Sequence, residues 1–246
     1  MMKKTRLDRV LVDRAIYPTR EQAQRAVMAG QVRVGGQVAD KASLLVDPNT
    51  VIATASPPRY VGRGGLKLEG ALDSFHLDVR DWTAIDIGAS TGGFTDCLLQ
   101  HGARKVYAID VGHGQLAWRI RNDQRVEVLE KTNARNLSPI LIPERADICV
   151  IDVSFISLTL ILPKAFQLIT PNGVVLALIK PQFELEQGEV GRGGIVREAA
   201  LHEKAQNKIV SFIKNLGHNV IGLAPSVIVG TDGNREFFIC ARKPLA

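Results

Sequence analysis

Apolar and polar positions along the chain keep two different rhythms. Near the start, Leu7, Val10 and Leu11 recur at helical spacing, and Thr19 with Gln22 three residues on can form a capping box that opens a second helix. That helix carries an apolar stripe of Ala23, Ala26 and Val27, leaves Arg20 and Arg25 off the stripe, and ends at Gly30. Residues 31–38 then alternate apolar and polar side chains around Gly35-Gly36, the pattern of a β-hairpin. The pair Pro57-Pro58 breaks regular structure and marks a boundary.

Beyond it the rhythm changes to apolar runs separated by helix-compatible stretches. The runs at 84–87, 106–109, 126–129, 148–151 and 174–179 predict strands, and 237–241 suits a closing strand. Such alternation predicts an α/β fold, a doubly wound and mostly parallel sheet covered on both faces, with ligands at the carboxyl ends of its strands. The expected organisation is a small α+β domain over 1–58, a linker over 59–63 and a larger domain over 64–246.

Composition adds one asymmetry. The 246 residues, 46% hydrophobic and 23% charged, suffice for one full core plus a small module. Residues 1–67 hold twelve Lys or Arg against five Asp or Glu, a charge of +7, while the remainder holds nineteen against twenty. Clustered positive charge suggests an anionic polymer as partner, although a solvated basic surface looks the same. No apolar run is long enough to span a membrane, and the polar start leads into no signal-peptide core, so no membrane association and a cytoplasmic location are expected. Cys97, Cys149 and Cys240 lack metal-ligand spacing and read as buried thiols; the five histidines form no triad or ligand set, and no metal is expected. The loop Gly188–Gly194 reads equally as a closing flap and as a plain connection.

Candidate chemistry begins where the first strand of the larger domain ends. Asp86-Ile87-Gly88-Ala89-Ser90-Thr91-Gly92-Gly93-Phe94 is a glycine-rich turn into a helix expected from about Thr95. It lacks the G-x-G-x-x-G pattern that seats a pyrophosphate, and Asp110 closes the second strand about twenty residues on, where a carboxylate can accept from a ribose diol. Together they fit a nucleoside cofactor without phosphates, although any tight strand-to-helix turn needs glycine. Four further segments, around Lys67, Asp152, Lys180 and Glu236, each set a charge beside apolar residues; Asp152 and Lys180 follow the presumed fourth and fifth strands.

These motifs carry resemblances to known families. Arg6-Leu7-Asp8, Thr19–Ala23 and Gly30–Gly36 resemble, over about residues 5–55, the RNA-binding fold of ribosomal protein S-four, which implies Arg6, Arg20, Arg25 and Arg33 as RNA contacts. The alternative is that Arg6 and Arg25 pair with Asp8 and Glu21 on the surface. The glycine turn resembles motif I of the S-adenosylmethionine methyltransferases, in its FtsJ-like form. That implies cofactor contacts from Asp86, Gly88, Ser90, Thr91, Gly92, Gly93 and Phe94, ribose contacts from Asp110 and adenine contacts near Asn133, where the wider family often has Asp.

Lys67, Asp152, Lys180 and Glu236 match the Lys-Asp-Lys-Glu tetrad of the FtsJ-like ribose methyltransferases, over residues 60–243. With the N-terminal module, the chain resembles the TlyA-type rRNA methyltransferases, historically labelled hemolysins. The resemblance implies 2′-O-methylation of ribosomal RNA, cytidine first, on RNA or ribosomal subunits, with S-adenosylmethionine as cofactor. In it Lys180 is the general base, Lys67 a neighbouring cation, Asp152 an orienting group and Glu236 a ribose contact. Burial and a second cation favour the neutral amine such a base needs. A noncatalytic RNA-binding or ribosome-assembly factor with an idle methyltransferase fold is the competing expectation, and neither fixes an oligomeric state.

Overall fold

The computed structural model describes residues 4–55, 58–230 and 232–245, and of Arg192 only the backbone. Pro57 of the expected proline break lies outside the described residues. Two compact units result, 1–59 and 60–246.

In the first unit, β1 (Thr5–Arg6) leads into α1 (Leu7–Asp13) and α2 (Arg20–Met28) follows; then come β2 (Val32–Val34), β3 (Gln37–Val38), β4 (Leu45–Val46) and β5 (Ile52–Thr54). Thr19 caps α2 as its pattern predicts, its hydroxyl accepting from the Gln22 amide. Gly35 and Gly36 both adopt the left-handed backbone that a two-residue hairpin turn demands, and β2 pairs with β3 on one side and β5 on the other. The predicted stripe Ala23, Ala26 and Val27 packs with Leu7, Val10, Leu11, Val32, Ala39 and Val46 into one small core.

The second unit runs α3 (Gly64–Ser74), β6 (Thr83–Ile87), α4 (Gly93–Gln100), β7 (Lys105–Ile109), α5 (Trp118–Arg121), β8 (Val126–Leu129), β9 (Ala146–Ile151), α6 (Leu162–Leu168), β10 (Ile169–Ile179), α7 (Pro181–Glu184), α8 (Ala199–Asn215), β11 (Asn219–Pro225) and β12 (Phe237–Arg242). Among the described residues these strands form a seven-stranded sheet in the order β11-β12-β10-β9-β6-β7-β8, parallel except at β12. Parallel strands covered on both faces need continuous apolar runs, and β10 divides its run between two cores. Val175, Ala177 and Ile179 face α6 and α8, whereas Val174, Leu176 and Leu178 face the side of α3 and α4. Spacing of four along α8 puts Ala205, Ile209 and Ile213 on one buried stripe. Among the described residues, no helix is long and apolar enough to cross a membrane.

Sheet order reverses between β6 and β9, and such a switch point leaves a crevice beyond the carboxyl ends of its two strands. Ile87 pairs with Ile151 across it, so Gly88 and Asp152 emerge side by side. Register extends the row: Ile179 of β10 pairs with Phe237 of β12, which places Lys180, just after β10, and Glu236, just before the antiparallel β12, at the same edge of the sheet.

Candidate active site

The glycine turn forms the floor of the crevice. Gly88 and Gly92 have φ of +87° and +94°, and Ser90 between them is also left-handed at +48°. A Cβ on Gly88 would stand 2.2 Å from the carbonyl oxygen of Asp152, so β6 and β9 meet there only because the residue has no side chain. A left-handed Gly92 starts α4 at Gly93, two residues before the expected Thr95.

A cavity of about 460 Å³ opens beyond this turn, lined by Gly88, Ser90, Asp110, Asn133, Asp152 and Phe155 among others. A smaller one of about 110 Å³ shares Gly88, Ser90 and Asp152 with it and adds Gly64, Thr91, Gly93 and Phe94. Asp110 is held facing the turn, each of its oxygens accepting one backbone amide, from Ser90 and from Gly112, at 2.7 Å. Asn133 spends its side-chain oxygen capping a short 3-10 turn through the amide of Arg135. Asp86 and Gly92 line neither cavity: a Cβ on Gly92 would meet Leu116 and Ile120, so that glycine serves helix packing.

Asp86 lies buried behind the turn. Its Oδ2 accepts from the Thr95 hydroxyl at 2.6 Å, while Oδ1 has no hydrogen-bond partner among the described residues. Burial, reinforced by the nearby Asp152 charge, pushes this carboxyl up to about 7. An acid that holds its proton more tightly when folded contributes most below its unfolded value of 3.8, and that contribution is lost as pH rises through about 7. Asp86→Asn should therefore flatten stability between pH 5 and 8 by on the order of 1–3 kcal/mol relative to the parent, as read by urea unfolding at both pH values. Equal pH slopes in the two proteins would refute this.

The four charged residues at the sheet edge fall into two ion pairs. Lys180 Nζ lies 2.6 Å from Asp152 Oδ1 and donates to the Ser154 hydroxyl at 2.9 Å. Lys67, on α3, donates to Glu236 at 2.5 Å, both nearly buried at 8% and 4% exposure. The positive charge expected from Lys67 is thus compensated within its own pair. Both cavities reach the Lys180 pair through Asp152. Phe155, absent from the expected site, follows in the same segment with a left-handed backbone and a ring 90% exposed.

Tyr60–Arg63, expected within a linker, packs on this second unit: Tyr60 is buried against Gly65, and the Val61 amide donates to Asp96 at 2.8 Å. In the first unit, buried Asp8 accepts from Arg6, Arg20 and Gln24, which holds its carboxyl well below the usual range. The pairing weighed for Arg6 is present and extends to Arg20, yet both guanidiniums stay about half exposed. Arg33 donates to the Gly36 carbonyl. The three cysteines are buried, and burial pushes the Cys240 thiol up to about 12.

Comparison with known proteins agrees with this architecture. Residues 5–52 match the S4 domain and residues 60–243 the FtsJ-like methyltransferase. The chain is 42% identical, over 98% of its length and 91% of the relative's, to the 16S/23S rRNA (cytidine-2′-O)-methyltransferase TlyA of Mycobacterium tuberculosis. It is 43% identical to Hemolysin A of Brachyspira hyodysenteriae, over 94% and 97% of the two chains. A solved structure from Streptococcus thermophilus, provisionally called a hemolysin, superposes with a TM-score of 0.76 at 45% identity and covers 99% of this chain and 90% of its own. By sequence match over three quarters of its length and by fold, this chain is a member of the FtsJ-like methyltransferase family, with an S4 domain ahead of the methyltransferase.

Proposed function

We propose that this protein transfers the methyl group of S-adenosylmethionine to a ribose 2′-hydroxyl of ribosomal RNA, at cytidine, as the name of its mycobacterial relative indicates for that enzyme. One observation carries the reading: Asp152 lines the crevice over the glycine turn and also pairs with Lys180, so cofactor cradle and candidate base meet at one residue. Gly88, Ser90, Thr91, Gly93 and Phe94 cradle the cofactor, with Asp86 and Gly92 supporting the turn from behind. Asp110 takes the ribose hydroxyls on lone pairs its two amide contacts leave open, and Asn133 lies on the adenine side. The chain divides in function into an RNA-binding module over 1–58, a junction over 59–63 and the methyltransferase over 64–246. Ribosomal substrates set its workplace in the cytoplasm.

The bound cofactor supplies a positively charged, activated methyl group. Lys180, oriented by Asp152 and Ser154, would accept the proton of the 2′-hydroxyl and so ready its oxygen for the methyl group that bound S-adenosylmethionine would supply. Glu236, fixed by Lys67, would hold the target ribose, and holding the hydroxyl in place would supply much of the rate. Arg6, Arg20, Arg25 and Arg33 bring the RNA by its phosphates.

Labelled S-adenosylmethionine offered to free ribosomal RNA, each subunit and intact ribosomes tests the reading, which predicts label in RNA. RNA binding without any transfer would instead mark an idle fold. Reversing Arg20 and Arg25 to Glu should weaken RNA binding on the order of 10-fold or more at physiological salt and leave cofactor affinity within about twofold. Filter binding and calorimetry read the two effects, and a parallel collapse of both affinities would contradict the division into modules.

A further inference from the structure

Between β9 and the 3-10 turn at Leu158–Leu160, the segment 152–157 lies outside regular structure, yet Asp152, Val153, Ser154, Phe155 and Ile156 form one wall of the larger cavity. Phe155 takes a left-handed backbone, φ +64°, an uncommon conformation for a residue with a bulky side chain. The segment's neighbours are α7 and the residue before it. Lys180 holds Asp152 and Ser154 at the start of the segment, and the ring of Phe183 packs on Phe155 with centroids 5.1 Å apart. At its far end Glu184, only 5% exposed, accepts from the Ser157 hydroxyl at 2.6 Å and the Leu158 amide at 2.8 Å. Lys208 of α8 completes the arrangement, 3.1 Å from the same carboxylate and donating to the Glu184 carbonyl at 2.6 Å.

We infer that Glu184 is a positioning residue for methyl transfer: one buried carboxylate anchors the wall 152–158 to the short helix that begins beside Lys180, and so fixes Asp152 and Ser154 against the Lys180 amine. The inference rests on the reaction proposed above. A carboxylate suits the task because it accepts from two consecutive residues at once, whereas an apolar side chain would leave a buried amide and hydroxyl without acceptors. Glutamine keeps an acceptor for the amide and a polar group beside the hydroxyl.

The test compares Glu184→Ala, Glu184→Gln and Ile213→Ala, the last thinning the core under α8 as a stability-matched control. With saturating S-adenosylmethionine and ribosomal subunits, Glu184→Ala should lower the single-turnover rate about 10- to 100-fold while the KM for RNA moves only a few fold. Glu184→Gln should recover most of the rate, and Ile213→Ala should keep it despite a lower melting temperature. Amide exchange over 153–158, read without substrate, should speed up about tenfold in Glu184→Ala and stay unchanged over 84–87. A parent-like rate in Glu184→Ala, or rate losses in both alanine variants that simply follow melting temperature, overturns the inference. Failure of the parent to transfer methyl would remove the proposed reaction, and unchanged exchange over 153–158 would separately remove the anchoring of the wall.

Discussion

Lys180→Met is expected to lower the single-turnover rate of methyl transfer by about 10²- to 10⁴-fold, the range that a positioned general base supplies. Methionine keeps the length and most of the volume of the side chain but can neither take a proton nor donate to Ser154. Stability will also fall, because Asp152 loses the cation 2.6 Å away and is left as an unpaired charge only 20% exposed. The double variant Lys180→Met/Asp152→Asn separates the two effects. Removing the orphaned charge should restore most of the melting temperature and none of the rate, since distinct mechanisms underlie the two losses. Transfer within about tenfold of the parent in the single variant would exclude Lys180 as the base.

Gly88→Ala should have the second largest effect, on cofactor binding and folding together. Its added carbon would sit 2.2 Å from the Asp152 carbonyl, a backbone atom that cannot turn aside, in a residue whose φ of +87° already disfavours any side chain. Left-handed strain of about 1–2 kcal/mol and overpacking of about 1–3 kcal/mol add there. Relief requires β6 and β9 to part at the crevice, which removes the cradle, so affinity for S-adenosylhomocysteine should drop about 30-fold or more. Gly114→Ala is the matched comparison: φ is +70°, but nothing lies within 4 Å of the new carbon, leaving strain alone. Urea unfolding and calorimetry on the pair measure the difference, and equal losses would show that contact with Asp152 is immaterial.

Those two residues illustrate what a sequence reader can reach. Gly88 and Lys180 stand at the ends of strands whose mostly apolar final residues reflect burial on both faces, so strand, turn and charge are all visible in one dimension. β11 escaped that reading for the opposite reason. It alternates exposed and half-buried positions at a sheet edge and contains Gly222 and Pro225, both poor strand formers. β1, β4 and β5 are two or three residues long, too short to show a period. The opening of α3 is hidden by Gly64-Gly65, which lower helix propensity but allow close packing on Phe94 and Tyr60.

Within the site, the charged tetrad is legible in the sequence and its pairing is not. Lys67 meets Glu236 across 169 positions, a pairing that exists only once the chain is folded. The Arg6–Asp8 pair is close enough in the chain to be weighed from sequence, whereas Arg20 joining it and Glu184 gathering Ser157 and Leu158 are products of folding in three dimensions. Phe155 gives no signal because its exposure follows from a backbone angle, which a residue name does not encode.

The position of the transferred methyl group is the most direct test of the whole account. After reaction of the native protein with ribosomal subunits and isotopically labelled S-adenosylmethionine, nucleoside mass spectrometry should find the label on ribose as 2′-O-methylcytidine. Label on a nucleobase, or on no nucleoside at all, would contradict the assignment of the Lys180–Asp152 pair to a ribose hydroxyl.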